Sequence, residues 1–124
     1  MENLLKYDII QIQNINLKNN LFNDIIKNDV KYIHLTDFET ETNNSINIYN
    51  FFNNDKLKNE LNKYIKNMII IENHNLIIYE FCHISSLCYI SDMFFSTRVY
   101  KNKTIVIYPK KLPPGYRENI DIII

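Results

Sequence analysis

Apolar and polar residues alternate through YDIIQIQNI at 7–15, the period of a strand. The spacing changes in LKNNLFNDIIKND, where Leu17, Leu21 and Ile25, with Phe22 and Ile26 beside them, predict a short amphipathic helix. VKYIHL at 30–35 returns to strand character, and TDFETETNNSIN reads as a polar loop. The clearest periodic signal follows Asn54, a residue suited to cap a helix. Through DKLKNELNKYIKNMIIIEN it sets Leu57, Leu61, Tyr64, Ile65, Met68 and Ile71 on one stripe, with Lys56, Lys58, Glu60, Lys63 and Lys66 elsewhere. His74 and Asn75 end that helix before LIIYEF at 76–81, an apolar run of the kind a buried strand carries. SSLCYISDMFFSTRVYKN predicts a further helix capped by Ser85 or Ser86, with Ile90, Met93, Phe94 and Val99 turned inward. TIVIYP at 104–109 and the final NIDIII complete the strands.

This alternation predicts one α/β domain over 1–124, in three layers: a mostly parallel sheet of about five strands with flanking helices, flavodoxin-like or Rossmann-like. Uninterrupted apolar runs in LIIYEF and TIVIYP suit strands covered on both faces. At 124 residues the chain can bury about two thirds of the surface it would expose unfolded, and its 46% hydrophobic content suffices to fill that core.

Fourteen basic residues balance fourteen acidic ones, so no net field draws in nucleic acid or an anionic membrane, and neither is expected as a partner. The longest apolar runs, MIII and LIIY, are far shorter than a bilayer span. MENLLKYD lacks the basic start and apolar stretch of a secretion signal, which gives a cytoplasmic expectation. Cys82 and Cys88 flank His83, but a closed zinc site needs four ligands and no second pair is present; they read as two buried thiols and a histidine near a strand end, with no disulfide and no metal implied.

Ligands of parallel α/β sheets bind beyond the carboxyl ends of the strands. That rule selects the segments after Leu35, Phe81 and Pro109. The first carries Asp37, Glu39 and Glu41, and the second Cys82, His83, Ser85 and Ser86, with Asp92 on the helix that follows. The third carries Lys110, Lys111, Gly115, Tyr116, Arg117 and Asn119. With Gly115 the only glycine, both glycine-rich phosphate loops, Rossmann and Walker, are excluded.

The order LIIYEF, SSLCYISDMFF, KNKTIVIYP, PPGYRENIDIII resembles the C-terminal half of the nucleoside 2-deoxyribosyltransferase-like family. There a strand ending in an aromatic residue precedes a serine-bearing loop and a helix with a carboxylate in an S-x-x-E-L-G pattern. An apolar strand ending in proline, a Gly-aromatic-Arg segment and a closing strand then follow. Here Asp92 stands at the position of the family's glutamate, Tyr89 at that of its serine and Phe94 at that of its glycine. The resemblance implies that Asp92 is a nucleophile toward the anomeric carbon of a deoxynucleoside. Its logic is that of a retaining glycosidase, whose two carboxyl groups lie about 5 Å apart. Asp37, Glu39 and Glu41 are the candidates for the partner acid, with Asp37 taken first. Ser85, Ser86, Gly115, Tyr116, Arg117 and Asn119 are the expected substrate-binding residues, and Gly115 is expected to allow a tight turn that leaves amides near the ligand.

Three functions follow as expectations: an enzyme of the N-glycosidic bond of nucleosides or nucleotides, an inactive relative that binds the same ligands, or a small protein–protein interaction module. No cofactor is implied. The apolar IDIII terminus adds the expectation of a homo-oligomer.

Overall fold

The computed structural model describes residues 6–41 and 44–124. Its centre is a six-stranded sheet, parallel throughout, built from β1 (Ile9–Ile12), β2 (Tyr32–Thr36), β3 (Ser45–Asn47), β4 (Leu76–Glu80), β5 (Lys103–Ile107) and β6 (Ile122–Ile123) in the order β3-β2-β4-β5-β1-β6. Between the strands run α1 (Lys18–Lys27), α2 (Asp55–Ile70), α3 (Ile84–Tyr89), α4 (Ser91–Phe95), α5 (Thr97–Tyr100) and α6 (Pro114–Arg117). This is the three-layer α/β architecture that the sequence pattern predicts. In flavodoxin-type sheets the first strand lies beside the second; here β1 lies between β5 and β6.

Strand side chains alternate between two cores. Ile9, Ile33, Leu35, Ile77, Tyr79 and Val106 pack under α2 and the helices that follow it. Ile10, Ile12, Leu76, Ile78, Ile105 and Ile107 pack under Leu21 and Ile25 of α1. Burial of the central strands on both faces is what permits their apolar runs.

Several sequence expectations shift by local amounts. Asn54 caps α2 as expected, its side chain accepting from the Lys56 and Leu57 amides. The buried stripe of α2 is Leu61, Ile65 and Ile69, however, while Leu57, Tyr64 and Ile71 are 36%, 48% and 65% exposed. Leu61 and Ile65 belong to the predicted stripe and Met68 packs partly against the core, while the half-buried Lys58 lies over the Tyr89 ring at 4.7 Å. The predicted loop over TDFETETNNSIN contains β3, whose Ser45, Ile46 and Asn47 pair with His34, Leu35 and Thr36 at the edge of the sheet. The single helix predicted after Phe81 is three short ones. Ser96 and Thr97 turn their hydroxyls back onto the Met93 and Phe94 carbonyls at the break, so the helical phase resets and Val99 is 75% exposed rather than inward.

The C-terminal segment is tied down by ionic contacts. Asp121 accepts from the Asp8 and Ile9 amides and pairs with Arg98, which also reaches Asp8. Ile122 and Ile124 turn into the second core and Ile123 is 44% exposed. No helix among the described residues is long and apolar enough to cross a membrane.

Gly115 differs from its expected role. It lies in α6 without a positive φ, and a Cβ built there meets nothing within 4 Å. The turn is made by Pro113 and Pro114, whose ring-fixed φ starts the helix, so glycine is not required. Gly115→Ala is therefore expected to raise stability by about 0.4–1 kcal/mol through the unfolded chain's lost freedom. Urea unfolding measures this, and a loss of stability would show that the backbone there needs glycine.

Candidate functional site at the carboxyl edge of the sheet

β1 is followed by α1 on one face of the sheet, whereas β5 leads to α6, whose Tyr116 packs on the other. β1 and β5 are neighbours, so their connections part at the carboxyl edge and open a crevice there. A cavity of about 310 Å³ occupies it, lined by Ile15, Phe38, Glu80, Phe81, Cys82, Ile107 and Pro109. Phe38 and Cys82 come from the first two segments selected from the sequence; the third is represented only by Pro109, which precedes it, and none of its named residues lines the cavity.

Asp37 lies at the end of β2 and is 3% exposed. Its carboxylate accepts from the Cys82 amide at 2.8 and 3.0 Å, from the His83 amide at 2.9 Å and from Ser86 Oγ at 2.8 Å. These are the amides at the start of α3, which has no local side-chain cap. Asp37 supplies that cap across 46 sequence positions, placing a negative charge at the positive end of the helix. Ser86 is spent on the same contact, while Ser85 is exposed. Cys82 and Cys88 are free and exposed rather than buried; partial desolvation, then the charge of Asp37, pushes the Cys82 thiol up, so it stays protonated at neutral pH.

Glu80, the last residue of β4, points to the face covered by α1. His34 Nε2 lies 2.9 Å from its Oε1, and the Lys18 ammonium pairs with its Oε2. Burial alone raises this carboxyl, but the hydrogen bonds from His34 and Lys18 and the charge of Lys18 outweigh it and hold Glu80 below its ordinary value. The three side chains line a second cavity, of about 370 Å³, that shares Glu80 with the first.

The other predicted residues lie apart from this centre. Asp92, on α4, is exposed, and its carboxylate makes no hydrogen bond or ion pair among the described residues. Glu39 accepts from Asn47 at 3.0 Å, and Glu41 is exposed. Tyr116 stacks on Phe95 with centroids 5.1 Å apart; burial, then the adjacent Cys88, pushes its phenol up to about 12, against a hydrogen bond with Ser91. Asn119 donates to the Gly115 carbonyl at 2.8 Å, closing α6, and Arg117 is half-buried on the same short helix. Of the predicted set, the structure brings together Asp37 and Ser86; among the described residues Asp92 and the α6 group make no hydrogen bond or ion pair with them.

Lys18, His34 and Glu80 were not among the residues selected from the sequence. The available signal was the acid within LIIYEF and the imidazole within VKYIHL: a charged or polar side chain in a buried strand needs a partner. Among the described residues no group of three or more His, Cys, Asp or Glu side chains is gathered to hold a metal ion. Comparison with family models, with curated proteins and with solved structures finds no match to the chain.

Asp37→Ala is expected to cost about 2–4 kcal/mol, because it strands the amides and hydroxyl that the carboxylate satisfies, and Asp37→Asn is expected to cost less. Unchanged stability of Asp37→Ala in urea would remove the capping role. Acid should act through Glu80 and Asp121, whose folded carboxyls lie below the ordinary values of 4.5 and 3.8. For Asp121, partial burial is outweighed by hydrogen bonds from Arg98 and the Ile9 amide. Each contributes stability that is present above its ordinary value and lost as pH falls through the folded one. Unfolding free energy measured between pH 7 and pH 3 should therefore fall, and Glu80→Gln should make the fall shallower.

Proposed function

We propose that the chain recognises nucleoside-class ligands, nucleosides or nucleotides, at the carboxyl edge of its sheet. The observation that carries this reading is Glu80, a buried, ionised carboxylate that forms the shared wall of two adjoining cavities. One cavity is mainly apolar; the other has aromatic and amide groups in its lining. A nucleoside needs such a pairing: flat ring surface to be covered and sugar hydroxyls to be accepted by a carboxylate. Each Glu80 oxygen has a further lone pair beyond its bond to His34 or Lys18. The cavity volumes lie at the small-ligand end of the usual range.

Binding is favoured over cleavage of the N-glycosidic bond. Asp37 is already saturated by amides and a hydroxyl, and Asp92 has no second carboxylate bonded near it to share the work of nucleophile and acid.

The test is thermal stabilisation of the full chain by a panel of deoxynucleosides and their 5′-monophosphates, with free base followed by chromatography in the same mixtures. The expected result is stabilisation by at least one class without base release, weakened about tenfold or more in Glu80→Gln and unchanged in Asp92→Ala. Stabilisation by no member of the panel would overturn the reading. Base release abolished by Asp92→Ala would restore the transferase or glycosidase reading.

A further inference from the structure

The second cavity has features that the edge crevice does not use. His34 is 7% exposed, and Phe22 lies against its ring with centroids 5.2 Å apart. Glu80 is ionised and can only accept, so the hydrogen between Glu80 Oε1 and His34 Nε2 belongs to the imidazole. In the neutral ring Nδ1 is then a bare acceptor. It makes no hydrogen bond among the described residues, yet it is not sealed off, and the ring lines the cavity. Asn19 and Asn44 line the same cavity, and neither side chain makes a hydrogen bond among the described residues.

We infer that this cavity receives the base of the ligand and selects an oxo base, one with a lactam or imide N–H such as thymine, uracil, hypoxanthine or guanine, over an amino base. The inference rests on the nucleoside reading above. An acceptor at His34 Nδ1 requires a donor from the ligand, and the amide groups of Asn19 and Asn44 supply donors to carbonyls beside it. The edge of an imide, carbonyl then N–H then carbonyl, complements that arrangement. Adenine and cytosine set a bare ring nitrogen in the same place, so two lone pairs would face each other. Phe22 and Tyr32 provide the surfaces against which the ring packs.

The charged and titratable groups facing His34 are Lys18 from α1, Tyr32 from β2 and Glu80 from β4, and Lys18 and Glu80 neutralise each other. Charge therefore does not choose the ligand; the hydrogen-bond pattern does.

Two measurements on the full chain decide the matter. Long-range nitrogen–proton correlation on histidine-labelled protein at pH 7.5 is expected to show His34 protonated at Nε2 and bare at Nδ1. A proton on Nδ1 overturns the inference without any ligand. Calorimetry then compares thymidine, N3-methylthymidine and deoxycytidine. Thymidine is expected to bind at least about tenfold more tightly than either, a difference of about 1.4 kcal/mol, and His34→Ala is expected to remove the preference. Equal binding of thymidine and its N3-methyl analogue, or tighter binding of deoxycytidine, overturns the inference and leaves the nucleoside reading standing. Failure of all three and of the wider nucleoside panel overturns both.

Discussion

The carboxylate of Asp37 holds the end of one strand against the beginning of the helix that follows another. β2 and β4 are neighbours, and their ends are joined by main-chain ladders only as far as Thr36 and Glu80. Beyond that point Asp37 bonds to the amides of Cys82 and His83, and it fixes where Phe38 and Cys82 stand at the mouth of the crevice. The contact also settles an electrostatic matter. The amides at a strand-to-helix turn are where parallel α/β proteins commonly receive an anionic ligand. In this chain the Cys82 and His83 donors are already taken from within, and the carboxylate that faces the two cavities is that of Glu80, the last residue of β4.

The surroundings of Glu80 follow from an asymmetry between the two faces. α2 to α5 and the α6 segment cover one face, while the opposite core is packed under α1 alone among the described helices. α1 reaches the isoleucines of β1, β4 and β5. Toward β2 and β3 its cover is incomplete, and there the strands carry Tyr32, His34 and Ser45 on that face. A polar group half-covered by protein must find protein partners or water. Lys18, His34 and Glu80 satisfy one another, and the space left between them and Phe22 is the cavity. The site is thus a consequence of one helix covering a sheet that needs more than one.

Much of the fold was legible because periodicity is local. LIIYEF, TIVIYP and the stripe after Asn54 each contain within themselves the pattern that places them. The α2 stripe held at Leu61, Ile65 and partly Met68 and missed at its ends and at Tyr64, because helical spacing alone does not say how wide the covered face is or where along the helix the sheet stops covering it. The α3 cap was hidden for a different reason. His83 offers no side-chain bond, and the acceptor lies on another strand, so neighbouring residues carry no trace of it. Lys18, His34 and Glu80 are likewise drawn from a helix and two strands, with no mutual spacing to notice. Gly115 misled by its rarity: composition marked it as special, whereas its backbone and surroundings place no demand on it.

The cluster's charge balance has a consequence for the kind of recognition it can perform. A free lysine in a small cavity attracts any anion, and a free glutamate any cation, with little regard for shape. Here each is held by the other, and the imidazole lies against the same carboxylate. What remains toward the cavity is hydrogen-bonding capacity that these pairings leave over on Glu80 and the imidazole, placed by β4 and β2. Hydrogen bonds of this kind add little net affinity each, yet a mismatched partner costs the full desolvation of a buried group. On the proposed reading, discrimination at such a site comes from the penalty on wrong ligands, and the paired Lys18–Glu80–His34 arrangement keeps a net charge from blurring that penalty.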